Sequence, residues 1–432
     1  MTRPDRILLI GGPGYQLQKA KDLGLDVVYC QFEEDFRPEQ RPLVDTAILA
    51  DYTDWDTLRP LVEKAYQERG FTAAVSLTEP GLDPAARVND LLGLGGTSYE
   101  VSHRFTDKWL MRARLAEHTP DGLPRVGAAL VTDRDSLTAF GAAHGYPFIV
   151  KPVNGTASFG VTRVHDESAT ETAWRHVQRL RGGSGHPLID SYDVDRFIME
   201  EYIEGPLYSA ESFSFGGRHV VMAVTEAITD KRNHVHVGHA VPGRLTQEDE
   251  RALVATTTRF LDAMGFRDGP THTELILGPA GPVICESQNR VGGALLTDMI
   301  EAVHGHDPMS MAIGWPMGLV AALPGRPAAD GAAASWLITA EEGTVERVEG
   351  LDAVHAEPDT LAVDLWVGPG DTVRSFDGQW DGLGHVAVRG PDTDTAVDRC
   401  RATLGKLTVR TRPAGTSASS GSSGSAGSSV AE

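Results

Sequence analysis

The residues with the clearest chemical potential lie between His272 and Arg290. Two β-rich runs flank Gly278-Pro279-Ala280-Gly281, which predicts an antiparallel hairpin. A turn centred near Ala280 sets Glu274 opposite Glu286. Side chains alternate along a strand, so Gln288 shares the Glu286 face, and Arg290 shares it too if the strand continues. Like charges directly opposite each other destabilise a sheet, and a divalent cation removes the repulsion. Magnesium prefers oxygen ligands, typically one or two carboxylates plus substrate phosphates. On spacing alone the pair reads either as a magnesium–nucleotide site or as solvent-facing carboxylates screened by Arg290. The third ligand is Gln288, or Asn289 if the register slips by one.

Further groups suited to a nucleotide lie upstream. Lys108 follows Phe105-Thr106-Asp107 at the start of a helix pattern. An apolar strand ends in Lys151-Pro152, and residues 154–161 form a small-residue loop containing Ser158, Phe159 and Gly160. Such a loop can bring backbone N–H groups onto phosphate oxygens. It lacks the P-loop spacing, so its grip on phosphate is of a different kind. Phe197-Ile198-Met199-Glu200-Glu201-Tyr202-Ile203 is a strand with an acidic end, and Glu211 follows it.

Other features are weaker. Gly11-Gly12-Pro13-Gly14 invites a dinucleotide-binding reading, but Leu17 holds the third-glycine position and the second strand ends in Tyr29-Cys30-Gln31 without an acidic residue. A glycine turn beside a ligand cleft is preferred. His234, His236 and His239 have no accompanying cysteine, so a zinc site is set aside. Glu79 stands just past an apolar strand, where open parallel sheets bind ligands; it faces either a substrate's amine or carboxylate, or solvent.

Taken in order from Lys108 to Arg290, these motifs resemble the ATP-grasp superfamily. The resemblance implies ATP and Mg2+ as cofactors, with Mn2+ able to substitute. Lys108, Lys151 and the loop with Ser158, Phe159 and Gly160 would hold phosphates. Backbone groups at Glu200, Glu201 and Ile203 would line the adenine edge, with Glu211 in the same pocket. Glu274, Glu286 and Gln288 would be the metal ligands. Gln288 stands where asparagine is commoner, and Leu207 replaces a frequent glutamate. Residues 290–298 and 238–245 are similar to segments of the L-amino acid ligase branch, which includes dipeptide synthetases, although Ala294 replaces an aspartate. That likeness implies an ATP-dependent carboxylate–amine ligase working through an acyl phosphate. Arg290 would be catalytic, and His239, Arg290, Gly292 and Gly293 would meet small-molecule carboxylate and amine substrates. Residues 238–245 would be a loop over the reaction centre. The alternatives are another ATP-grasp ligase, of purine-pathway or carboxylation type, and a nucleotide-binding protein without ligase activity.

The elements that must position these groups follow from the rest of the chain. Strand–helix alternation in the first hundred residues predicts a parallel sheet. The alternation predicts an α/β fold class, and the resemblance implies an N-terminal Rossmann-like unit at 1–97, an ATP-grasp core at 98–330 with a smaller grasping subdomain at about 126–203, and a small α+β lid at 331–412. The Gly/Ser-rich stretch 413–432 predicts disorder. Lys and Arg total 39 against 60 Asp and Glu, a net charge of −21 that repels nucleic acids and anionic membranes. Cys30, Cys285 and Cys400 form no CxxC pair, which fits a reducing cytoplasm. The apolar stretch at 7–10 is shorter than a signal peptide requires, and the run 309–323 is broken by Pro316, so no membrane span is expected. A homodimer is the commonest oligomeric expectation.

Overall fold

The computed structural model describes residues 5–413 except 119–121, 157, 182, 184–191, 193, 230–235 and 377–380. The tail expected to be disordered, beyond Pro413, and His234 lie outside the described residues.

The chain begins with four parallel strands, β1 (Arg6–Ile10), β2 (Asp26–Gln31), β3 (Thr46–Leu49) and β4 (Ala73–Val75), in the order β3-β2-β1-β4. Their near-continuous apolar runs reflect burial on both faces. Leu8, Ile10 and Val28 pack on one face, with Leu58 and Val62 of α2 (Trp55–Arg69) and Val88 of α3 (Glu79–Leu92). Ile7, Leu9 and Val27 pack on the other, with Leu17 and Ala20 of α1 (Gly14–Asp22). β1 lies between β2 and β4, so chain order reverses beside it, and the crevice opens at its carboxyl end. The glycine turn lies there: a Cβ on Gly11 would come within 2.8 Å of the Tyr52 hydroxyl, at a φ of +67°. Glu79 opens α3 at the same edge.

Two helices, α4 (Tyr99–Thr106) and α5 (Lys108–Glu117), lead to a small antiparallel sheet. Its strands are β5 (Ala128–Leu130), β6 (Phe148–Pro152), β7 (Thr162–Val164) and β8 (Phe197–Glu201), in the order β5-β8-β6-β7. Helices α6 (Arg134–His144) and α7 (Thr170–Arg181) share a separate core with it, built on Leu137, Phe148, Val177 and Phe197.

The large sheet begins with β9 (Leu207–Phe215), β10 (Arg218–Thr229), β11 (His236–Val241), β12 (Gly269–Gly278) and β13 (Gly281–Gln288), backed by α8 (Gln247–Met264). After α9 (Leu296–His304) and α10 (Pro308–Gly314) come β14 (Ala332–Leu337), β15 (Gly343–Glu349), α11 (Leu351–His355), β16 (Thr360–Leu365), β17 (Thr372–Val373), β18 (Gly384–Gly390), α12 (Thr393–Leu404) and β19 (Thr408–Arg412). The segment read as a separate lid divides. Strands β14, β18 and β16 extend the large sheet, whose order is β13-β12-β9-β10-β11-β14-β18-β16, while β17, β15 and β19 form a sheet of their own. The junction is the antiparallel pairing of β11 with β14. That pairing also corrects the reading of 238–245 as a loop. Gly238 to Val241 lie inside β11, because Gly238, His239 and Ala240 pair with both β10 and β14 and Val241 pairs with β14, and only the residues after Val241 leave the sheet. Among the described residues, no helix is long and apolar enough to cross a membrane.

Candidate functional site

The β12–β13 hairpin places Glu274 directly opposite Glu286. The route to that register differs from the simple turn that the spacing predicts. The connection is Pro279-Ala280, and Gly278 pairs with Gly281. An unbroken ladder would therefore set Glu274 against Cys285. The register shifts after Leu275↔Ile284, leaving Cys285 as an extra residue and restoring the Glu274↔Glu286 pair. A β-bulge of this kind re-aims side chains beside functional sites. Arg112 holds the bulge, its Nη2 donating to the Cys285 carbonyl at 3.0 Å.

His272 completes this face. It pairs with Gln288 on one side and Glu211 on the other. Its Nδ1 lies 2.6 Å from Glu211 Oε1 and its Nε2 3.5 Å from Glu274 Oε1. Both ring nitrogens meet carboxylates, which requires the imidazolium. Burial opposes the charge, but Glu211 and Glu274 raise the pKa to about 10. Burial likewise pushes the Glu274 carboxyl upward, but the His272 hydrogen bond together with the electrostatic pull of His236, His272 and His239 outweighs it and holds the pKa below the usual carboxylate range. Ser209 Oγ donates to Glu211 Oε1 at 2.8 Å. Glu286 faces Lys108 Nζ at 3.4 Å and accepts from Gln288 Nε2 at 3.0 Å, which leaves the Gln288 amide oxygen available to a cation. Asn289 turns to the other face, with Nδ2 donating to Ser102 Oγ at 3.2 Å. The donors on the hairpin face are thus oxygens on opposed strands, a set that fits magnesium.

The small sheet meets the hairpin through a buried ion cluster. Lys151 Nζ lies 2.7 Å from Glu200 Oε2, and Arg112 Nε lies 2.6 Å from Glu200 Oε1. Burial would raise the Glu200 carboxyl, but Arg112 and Lys151 override it and hold it at about 2. Glu200 therefore acts here through its side chain. The Glu201 N–H donates to the Gly127 carbonyl at 3.0 Å, and its carboxylate accepts from the Gly127 N–H at 2.6 Å. Ile203 lies beyond β8, its side chain close to Gly278. In the glycine loop, Gly155 accepts from Lys108 Nζ at 3.0 Å. Ser158 and Gly160 have φ values of 59° and 69°. Phe159 turns inward to the small subdomain's core, so only its backbone is placed to face a ligand.

Arg290 reaches the N-terminal unit. Its Nε lies 3.2 Å from Glu79 Oε1, its Nη2 also contacts that oxygen, and its Nη1 donates to the Val291 carbonyl at 2.7 Å. Tyr192 donates to the other Glu79 oxygen at 3.2 Å. A Cβ on Gly292 would come within 2.9 Å of Glu211 Oε2 and 3.0 Å of His272 Nδ1, so only glycine fits against that pair. Among the described residues, the N–H groups of Gly292 and Gly293 have no acceptor. Ala294 and Leu295 follow in the left-handed region, at φ 54° and 63°. Non-glycine residues held there cost about 1–3 kcal/mol each, a strain found at ligand clamps. His239 is buried near Glu274, His272, His236 and His385; among the described residues its Nδ1 has no partner, and burial depresses its pKa to about 3. A cleft of about 480 Å³ runs from Lys108, Gly155 and Gln288 to Glu79 and the α3–α4 face.

Three residues escaped the sequence reading. Arg112 stands four residues after Lys108 on α5, on the same helix face, and this spacing was the available signal. His272 stands two before Glu274, on the same strand face. Tyr192 carries no local signal.

Comparison with known proteins bears on the family and the fold. The ATP-grasp N-terminal domain matches residues 17–96, the ATP-grasp domain 144–298, and the L-amino acid ligase C-terminal domain 2 residues 335–412. An uncharacterized protein y4rH of Sinorhizobium fredii is 28% identical over 346 residues, covering 80% of this chain and 70% of that one. Human carnosine synthase 1 is 27% identical over 373 residues, covering 81% of this chain and 45% of the relative, so the chain spans less than half of that protein. The crystal structure of an L-amino acid ligase from Bacillus licheniformis superposes with a TM-score of 0.82 at 21% identity, covering 95% of this chain and all of that one, which shows a shared fold.

Proposed function

The chain belongs to the ATP-grasp family, and from that premise we propose that it is an ATP- and magnesium-dependent ligase joining a carboxylate to an amine through an acyl phosphate. Its substrates are amino acids or amino-acid-like metabolites, and its products are an amide, ADP and phosphate. The observation that carries the reading is a pair of opposite charge imbalances facing one another. On the small-sheet side, the cations Lys151 and Arg112 share the single carboxylate of Glu200. On the hairpin side, the carboxylates of Glu211, Glu274 and Glu286 form ion pairs, among the described residues, with two cations, His272 and Lys108. One side lacks an anion and the other a cation, which a metal–nucleotide complex supplies together.

Glu274, Glu286 and the amide oxygen of Gln288 would hold the magnesium. When bound, the ion neutralises charge on the transferring phosphoryl group. Lys108, Lys151 and the backbone of the 154–161 loop hold the phosphates. A carboxylate oxygen of the first substrate attacks the γ-phosphorus, forming a C–O–P linkage as ADP leaves. The amine of the second substrate then attacks the carbonyl carbon, loses a proton and displaces phosphate. Arg290 stabilises the negative charge on the acyl phosphate and its tetrahedral successor. The free N–H groups of Gly292 and Gly293 orient the first substrate, and Glu79 is placed to receive an ammonium once Arg290 engages substrate. Closure of the 154–161 loop keeps water from the reactive intermediate.

The test is nucleotide turnover with magnesium and ATP against amino acids, singly and in pairs, read by ADP, phosphate and mass spectrometry. Amine-dependent ADP and phosphate with a new amide is the expected result. AMP and pyrophosphate, or ADP release driven by bicarbonate or formate without an amine, would overturn it.

A further inference from the structure

Helix α3 carries Glu79, Asp83 and Arg87 at i, i+4 and i+8, so all three face the cleft. At 1.5 Å rise per residue, Arg87 stands about 12 Å along the helix from Glu79. The two carboxylates of this strip are engaged. Glu79 holds Arg290 and Tyr192. Asp83 accepts from Ser102 Oγ at 2.9 Å and Thr106 Oγ1 at 2.8 Å, and meets His103 Nδ1 at 2.7 Å. Arg87 differs. Its guanidinium lies 4.2 Å from the Tyr99 ring centroid and 5.5 Å from that of Trp55. Its Nη2 donates to the Tyr99 hydroxyl at 2.8 Å. Among the described residues, no carboxylate lies within ion-pair distance of it. A guanidinium has five N–H donors in a planar fork, and most of these remain unused. Two aromatic rings fix its plane and shed water from its surface, which strengthens its pull on an anion. The neighbouring Asp83, one turn earlier, would be the ordinary structural partner for such an arginine, but it is taken by α4.

We propose that Arg87 reads a second carboxylate on the substrate, at the end of the cleft remote from Arg290, so that the ligase prefers an acidic amino-acid-like substrate over its neutral amide. The inference rests on the ligase reading for its substrate frame, while the binding event it describes is measurable without turnover. A planar fork matches a carboxylate in two parallel hydrogen bonds, and a lysine in its place would keep the charge but lose that geometry.

The test is calorimetric titration of the full chain, in the presence of Mg2+ and ADP. The probes are aspartate, glutamate, 2-aminoadipate and γ-glutamylglutamate, each against the corresponding amide. The native protein is expected to bind at least one acid about tenfold or more tighter than its amide, the span of a charge-assisted hydrogen bond. Arg87→Gln should erase that preference by weakening the acid alone, and Arg87→Lys should restore part of it. Equal binding of acid and amide throughout, no binding of any acid, or an Arg87→Gln variant that weakens both alike would overturn the assignment. Acid-selective binding without ADP release on any amine would count against the ligase reading and leave Arg87's role standing. ADP release that ignores the acid–amide difference would do the reverse.

Discussion

The small sheet and the hairpin both bring charge to the same cleft, but they balance it in different ways. On the small sheet, Lys151 and Arg112 close on one carboxylate in a fully buried cluster, with both Glu200 oxygens occupied. Such a cluster is preorganised: its geometry is fixed before any ligand arrives. On the hairpin, Glu274 and Glu286 face each other across the ladder, and the cations nearby, His272 and Lys108, approach from the sides. The hairpin is held in shape by a bulge and by His272, which lies between Glu211 and Glu274. Among the described residues, the first cluster is therefore fixed in geometry but carries one cation in excess, and the hairpin carries one carboxylate in excess. Arg112 belongs to both, through Glu200 and through the Cys285 carbonyl, and ties the rigid cluster to the incomplete one.

That contrast can be broken from either side. The largest effect is expected on the hairpin: Glu286→Gln should lower amine-dependent ADP release on the order of a thousandfold, with the circular dichroism spectrum unchanged. Removal of a cation from the small sheet should instead register first in stability. Arg112→Met leaves Glu200 with Lys151 and removes the side-chain bond to the bulge carbonyl, and should cost about 3 kcal/mol in denaturant unfolding. The pH dependence sharpens the same point. The Glu200 carboxyl is held at about 2, below its ordinary 4.5, so its stabilising contribution is complete above pH 4.5 and is lost as pH falls towards 2. The stability deficit of Glu200→Gln, about 3 kcal/mol at neutral pH, should therefore shrink through that window. The smallest effect is expected at the seam. Gly292→Ala would press on Glu211 and His272, and should cost about 1–2 kcal/mol of stability, with a rise in substrate KM read by initial rates.

The sequence made some of this legible and hid the rest for physical reasons. Period-2 alternation and a Gly-Pro-Ala-Gly turn were enough to bring Glu274 and Glu286 onto one hairpin, but not to set them opposite, since an unbroken ladder would pair Glu274 with Cys285. The bulge that produces the register was hidden, since it depends on a guanidinium 173 residues away in sequence. The parallel N-terminal sheet announced itself through alternating strands and helices. The merging of the segment after 331 with the large sheet did not, because the β11–β14 pairing joins strands separated by three intervening helices and a hairpin. Glu200 was placed at the cleft by its strand, but its side-chain role emerged only when α5 brought Arg112 beside it. His239 shows the opposite failure: its neighbours resembled a loop, yet residues 238–240 pair on both edges of a strand, and the imidazole is buried and neutral.

The central claim is that the hairpin lacks a cation and the small sheet an anion, and that a metal–nucleotide complex supplies both. Calorimetric titration of ADP with and without Mg2+, on the native chain and on the Glu274→Gln/Glu286→Gln double variant, tests it most directly. The account predicts that Mg2+ tightens ADP binding about tenfold or more in the native protein and has no such effect in the double variant. ADP binding that is equally tight without the metal, or a Mg2+ dependence that survives loss of both carboxylates, would contradict it.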